Sequence, residues 1–176
     1  MKVYTVNPEK SKIKWKSQIG DLHIDGEMSA RDGSLVSELG ELVEGQVNID
    51  LDSIKIVDSS LDKKNQEKLR EHLRSADIFK DQDKLVEYKI QSIVPNGDQI
   101  TIKGMLNFNN LAFGMDMNAE VQLTDQKFTA HGHIQASKSN LVFLEQLEQM
   151  FEGQIKGDQS IKTFEVECDI VAEPGK

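Results

Sequence analysis

Apolar residues return at every second position through most of this 176-residue chain, and that period belongs to a strand with one buried face. The clearest runs are Val86, Tyr88, Ile90 and Ser92; Ile100, Ile102, Gly104, Leu106 and Phe108; Leu111, Phe113, Met115, Met117, Ala119, Val121 and Leu123; and Phe128, Ala130, Gly132, Ile134 and Ala136. Asn96-Gly97, Asn109-Asn110 and Thr124-Asp125-Gln126 lie between them as turns, which predicts an antiparallel meander. Upstream, Ile13, Trp15 and Ile19 oppose three lysines. Leu22, Ile24, Gly26, Met28 and Ala30 then run between the turn signals Gly20-Asp21 and Arg31-Asp32-Gly33. Val43, Gly45, Val47, Ile49 and Leu51 face inward next, and after Ser53 the parity moves to Ile54 and Ile56, as at a β-bulge. The last run is Phe164, Val166, Cys168, Ile170 and Ala172. Eight or so strands with one apolar face each predict an all-β fold, an eight-stranded antiparallel β-barrel with two short helices.

Ser60 is placed to N-cap the first helix, which runs to about Arg74 with a thin stripe of Leu61, Leu69 and Leu73. Such a helix belongs on the barrel surface or over one mouth. The second spans about Ser139 to Glu152, with Leu141, Leu144, Leu147, Met150 and Phe151 at helical spacing and Gly153 at its end. Its wet side of Glu145, Glu148, Gln149 and Glu152 suits a mobile cover.

The length predicts one domain over residues 1–176. A net charge of −9 argues against nucleic acid, whose phosphates require clustered cations. No run approaches the roughly 20 apolar residues of a membrane-spanning helix. The N-terminus lacks an apolar signal region, which predicts a cytoplasmic chain as given, or a periplasmic one if an export signal was removed. A homodimer is compatible with these bounds. Cys168, the single cysteine, rules out an internal disulfide.

The inner face carries the functional expectation. Gly26, Gly45, Gly104 and Gly132 occupy the apolar parity, where a glycine marks either a bend or room for a ligand. An eight-stranded barrel is either just filled by its side chains or holds one small ligand. The candidate ligand-binding set is Trp15, Ile24, Gly26, Met28, Gly45, Val47, Tyr88, Ile102, Gly104, Leu106, Phe113, Met115, Met117, Phe128, Gly132, Ile134 and, from the second helix, Leu144. Burial of ~10 methylene equivalents contributes roughly 8 kcal/mol before ordering costs, a dissociation constant of about 1 μM. The alternative is a filled barrel acting as a protein-interaction module through its acidic surface.

The run His72-Leu73-Arg74-Ser75-Ala76-Asp77, followed by Phe79, resembles the signature of the YceI-like family of bacterial lipid-binding β-barrels. Gly104-Met105-Leu106-Asn107-Phe108 falls where that family has a strand leading into a turn. The resemblance implies a lipocalin-like barrel with an isoprenoid chain inside, and polyisoprenoids, quinone tails or related amphiphiles as cargo. The family's Lys-Pro, Tyr-Pro and Asp-Arg pairs are absent, with Leu85-Val86 and Gln135-Ala136 in place of the latter two. His72 and Arg74 are candidates for meeting a head group. Their structural alternative is Arg74 at the helix C-terminus, paired with Asp77, and His72 on the face of Leu69 and Leu73.

Catalytic chemistry is not expected, and no cofactor is called for beyond a bound isoprenoid or other lipid. His131 and His133 share the outward face of one strand with only His23 in a comparable setting, one ligand short of a zinc site. Glu145 and Glu148 do not converge on a buried acid–base pair. Cys168 points inward without a neighbouring cation, which describes a packed thiol. No phosphate loop or nucleophile elbow is present.

Overall fold

The computed structural model describes residues 1–74, 85–108, 110–136, 140–151, 157–158 and 160–175. The elements, in chain order, are β1 (Lys2–Val6), β2 (Lys12–Ile19), β3 (Leu22–Glu38), β4 (Glu41–Ser59), α1 (Lys63–Arg74), β5 (Leu85–Asn96), β6 (Gln99–Phe108), β7 (Leu111–Leu123), β8 (Phe128–Gln135), α2 (Leu141–Phe151) and β9 (Ile161–Pro174). All pairings are antiparallel, and β9 returns to pair with β2, so β2 to β9 close an eight-stranded barrel. The two-residue period delivers this closure: in β2, Ile13, Trp15 and Ile19 turn inward while Lys12, Lys14 and Lys16 stay wet. Phe113, Met115, Met117 and Ala119 do the same in β7.

Several boundaries differ from the sequence expectation. β1 is a ninth, unpredicted strand, which pairs with the later half of β3 and the end of β9. Arg31-Asp32-Gly33 is no turn: β3 runs through it to Glu38, with a register slip between Ala30 and Asp32. Glycine is needed there because a Cβ on residue 33 would lie 2.6 Å from the Gln46 carbonyl oxygen, a close strand approach. The reversal falls instead at Leu39-Gly40, with φ of 53° and 81°. A second slip between Val36 and Ser37 puts Leu42 inward and Val43 outward. A third, between Ile90 and Ser92, exposes Ser92 and packs Ile93 against the core. The parity change at Ser53 is a bulge as expected. The Ser53 hydroxyl donates to the Asp50 carbonyl at 2.6 Å and accepts from the Ser29 amide at 2.8 Å.

Asp62, not Ser60, caps α1: its carboxylate accepts from the Asn65 amide at 2.8 Å. Ser60 instead meets His23 Nδ1 at 2.8 Å. Ser75–Asp77, Phe79, Asn109, Ser139, Glu152, Gly153 and the side chains of Phe108, Leu141 and Met150 lie outside the described residues.

Alternating strand direction sorts the connections to two poles. The β2–β3 and β6–β7 turns, α1 and α2 share one pole; the β3–β4, β5–β6 and β7–β8 turns share the other. β1 closes the far pole, where Tyr4 stands 6.0 Å from Phe128 ring to ring and donates its hydroxyl to the Thr124 carbonyl at 2.8 Å.

Candidate functional site

The barrel wall is incomplete at the helical pole. β4 pairs with β5 only from Gln46 to Asp50, so its later carbonyls have no strand partner on that side among the described residues. α1 takes the missing strand's place. Arg70 Nε donates to the Ile54 carbonyl at 3.3 Å and Arg74 Nε to the Asp52 carbonyl at 2.9 Å, while Leu69 and Leu73 turn into the barrel. These are charge-assisted bonds from the helix to backbone carbonyls of β4. Arg74 therefore serves the wall. The partner found for it is a β4 carbonyl; the expected Asp77 lies outside the described residues.

A second gap opens beside β7, whose residues Leu111 to Met117 pair, among the described residues, with β6 alone. α2 covers it. Asn140 Nδ2 donates to the Gly114 carbonyl at 3.1 Å, and the Ile161 amide donates to Glu148 Oε1 at 2.9 Å. Phe143 sits between Phe113 and Phe164, with ring centroids 5.4 and 5.8 Å away and both contacts edge-on.

Between wall and helices lies a cavity of about 190 Å³. All eight barrel strands line it, together with Leu73 of α1 and Phe143, Leu147 and Phe151 of α2. Almost nothing polar faces inward. The Tyr88 hydroxyl is spent on the Met115 carbonyl at 2.8 Å, and burial, with Asp116 next in weight, raises its pKa well above the usual value. The buried Ser17 hydroxyl donates to the Ile24 carbonyl at 2.6 Å. Cys168 lies 3.7 Å from the Met117 sulfur, its thiol pushed up to about 11 by burial, so it is protonated near neutrality. Water in such a space lacks the two to four polar partners that would hold it. An apolar guest replaces nothing of value, and a dry cavity of about 150 Å³ already accepts benzene.

Among the expected site residues, Trp15, Met28, Val47, Tyr88, Ile102, Leu106, Met115, Met117, Phe128 and Ile134 border this cavity. Ile24 and Phe113 are buried without bordering it, and Leu144 is half-buried on α2. The glycines need correction. They are not vacancies facing a tunnel: each lies beneath a large side chain from a nearby strand position. A Cβ at Gly26 would fall 1.9 Å from the Trp15 ring, one at Gly45 2.6 Å from Leu35, one at Gly104 2.4 Å from the Tyr88 ring, and one at Gly132 2.3 Å from the Met117 sulfur. The volume a side chain at each glycine would take is already held by one of these neighbours. Sequence reasoning missed Leu35 and Leu42, hidden by the slips, and Phe143, whose spacing to Leu147 and Phe151 was the available signal.

On the outer surface, His131 Nδ1 meets Asp169 at 2.7 Å, His133 lies 3.8 Å from Glu165, and His23 lies 3.4 Å from Asp58. Each histidine has its own carboxylate, and the three do not converge.

Compared with known families, residues 4–172 match the YceI-like domain. The chain belongs to the YceI-like family. Among solved structures, BcnA of Burkholderia cenocepacia is similar at 16% identity, with a TM-score of 0.67 over 95% of this chain and 99% of its own. A polyisoprenoid binding domain from Saccharophagus degradans, implicated in plant cell wall breakdown, is similar at 11% identity, with a TM-score of 0.62 over 99% of this chain and 100% of its own. Identities this low establish a shared fold. No curated protein matches the sequence. Within this YceI-like chain, the stretch around His72 and Arg74 is the end of α1, where the helix is bolted to β4.

Proposed function

We propose that this YceI-like barrel binds and carries one long-chain apolar molecule, of isoprenoid, quinone-like or fatty type, with its chain inside the barrel. One observation carries the reading: a cavity lined by residues from every barrel strand, apolar apart from Gln46, Tyr88 and the Cys168 thiol, in which the Tyr88 hydroxyl is already bonded to the Met115 carbonyl. Membership of the family and likeness to a polyisoprenoid binding domain support it. The same walls favour binding over catalysis, since the thiol that lines them is protonated and no described acid–base pair faces it. A filled barrel working through its surface is the weaker reading, because the interior is not filled.

Organic extraction of the purified protein followed by mass spectrometry should recover a lipid in stoichiometric amount. Protein refolded without lipid should take up an isoprenoid probe, with a change in the emission of Trp15, the chain's single tryptophan, which borders the cavity. No extracted lipid together with no probe uptake would overturn the proposal.

A further inference from the structure

The cavity has definite ends. Along β9 the inward side chains of Phe164, Val166, Cys168 and Ile170 border it, whereas Ile161 before them and Ala172 after them are buried and do not. β2 and β5 to β8 border it over spans no longer than this. β3 and β4 border it for longer, but their register slips spend residues without advancing one strand along the other. The far end is shut: Phe128 and Leu35 border the space, and Tyr4 of β1, packed against the Phe128 ring, is buried without bordering it. At the other end stand Leu73 of α1 and Phe143, Leu147 and Phe151 of α2.

The six residue steps from Phe164 to Ile170, at about 3.3 Å each on strands tilted by about 40° to the barrel axis, give a bore roughly 15 Å long. An extended chain advances about 1.2 Å per bond, as the polypeptide does, so roughly a dozen bonds fill it. The bore is also narrow. Its volume of about 190 Å³ is spread over that length, and a cavity of about 150 Å³ is already taken by one benzene ring, so a single chain fits and fused rings do not. We propose that the barrel is a blind bore that gauges its cargo: one chain enters tail first, stops at Phe128 and Leu35, and is held over about three isoprene units, at roughly four bonds to each, or an equal length of acyl chain. The rest of a longer molecule stays at the helical pole. A polar end belongs there too, since the shut end offers it no path to water and its burial is costly. The floor sets the gauge. Ala130 borders the cavity one inward step from Phe128 on β8, and such a step of two residues rises about 5 Å along the axis, close to the length of one isoprene unit.

The gauge rests on the cargo reading, and a ladder of prenyl alcohols separates the two. Geraniol, farnesol, geranylgeraniol and geranylfarnesol, each one unit longer than the last, are titrated into the lipid-free full chain and followed by the emission of Trp15. A buried carbon contributes about fourfold in affinity, so the step from geraniol to farnesol should gain about tenfold or more, and each step beyond farnesol less than about threefold. Cholesterol should not displace farnesol. Ala130→Phe, which raises the floor, should move the levelling-off down by one rung, and Leu35→Ala, which opens it, should extend the gain by one rung. Melting curves establish that each variant is folded, and with Ala130→Phe unfolded, Leu35→Ala decides alone. Gains that continue undiminished to geranylfarnesol, displacement by cholesterol, or a levelling-off that stays in place in the folded variants would overturn the proposal. Binding without a levelling-off defeats the gauge alone. No binding of any of the four alcohols defeats the cargo reading, and the gauge with it.

Discussion

Trp15 packs over Gly26, its cross-strand partner in the β2–β3 ladder, so closely that a methyl group on residue 26 would fall 1.9 Å from the indole. Gly26→Ala should therefore push a rigid ring into the cavity. The expected cost is about 1 to 3 kcal/mol, the usual range for overpacking, with weaker probe uptake and altered tryptophan emission. Gly132→Ala presses on the far end of the Met117 side chain and on the Cys168 sulfur, at 2.3 and 2.9 Å. The thioether can swing aside, so this variant should be the milder of the two in thermal melting. Equal losses would mean that the glycines serve the backbone and not the side chains above them.

Arg74 should behave as a wall residue. Arg74→Leu leaves the Asp52 carbonyl without its α1 donor and should lower stability by about 1 to 3 kcal/mol in denaturant unfolding. Its effect on uptake should be the same for cargo with and without an anionic head group. Selective loss of the anionic cargo would return the head-group role to Arg74.

The two helices are fastened unequally, and α2 should open first. Guanidinium groups hold α1, whereas one neutral amide, one carboxylate and the edge-on contacts of Phe143 hold α2. Hydrogen exchange should be faster in α2 than in β7 or β9, and slower with lipid bound. Phe143→Ala should ease opening by on the order of 1 kcal/mol. Identical protection with and without lipid would make α2 a fixed packing helix.

Leu39 sits at the β3–β4 reversal with φ of 53° and its side chain almost wholly exposed, at 98%. A left-handed conformation costs an ordinary L-residue about 1 to 2 kcal/mol, and asparagine tolerates it better. Leu39→Asn should raise the melting temperature by roughly 2 to 4 °C per kcal/mol recovered. No rise would show that the turn relaxes without strain.

His131 has a raised pKa, chiefly through its hydrogen bond to Asp169. A raised histidine pKa stabilises the fold below the unfolded value of about 6.5, and the contribution is lost as pH rises through the native value. The pair is largely exposed, so it should contribute no more than about 1 kcal/mol. Asp169→Asn should reduce stability at pH values just below that range and leave it nearly unchanged in alkaline buffer. The His131 titration followed by NMR should move down.

The strands were legible because a two-residue period has one physical cause, a face in and a face out, repeated over many residues. β2 follows its sequence residue by residue, and β7 does so from Phe113 to Ala119, while Leu111, expected inward, is exposed at the strand's start. What escaped were the register slips other than the bulge at Ser53. Asp32-Gly33 carries turn chemistry but serves a close approach of β3 to β4, which depends on Gln46, distant in sequence. β1 escaped because five residues with two inward side chains carry too little period to read. The cavity was legible as an apolar interior, but its shape was not. The glycine at 26 and the ring that covers it stand on different strands, and only the register joins them.

β1 has one more consequence, for the topology of the chain as a closed loop. Its pairing with β9 sets Tyr4 opposite Pro174, and the Gly175 amide donates to the Val3 carbonyl at 2.9 Å. The start of β1 and the residue after β9 are thus hydrogen-bonded neighbours. The hydrogen-bonded ring of strands thus has no natural first member, and peptide-bond order is nearly independent of it. A circular permutant that joins the present ends by a short linker and opens the chain at Gly97-Asp98 would keep every β-ladder between strands except the continuity of one hairpin.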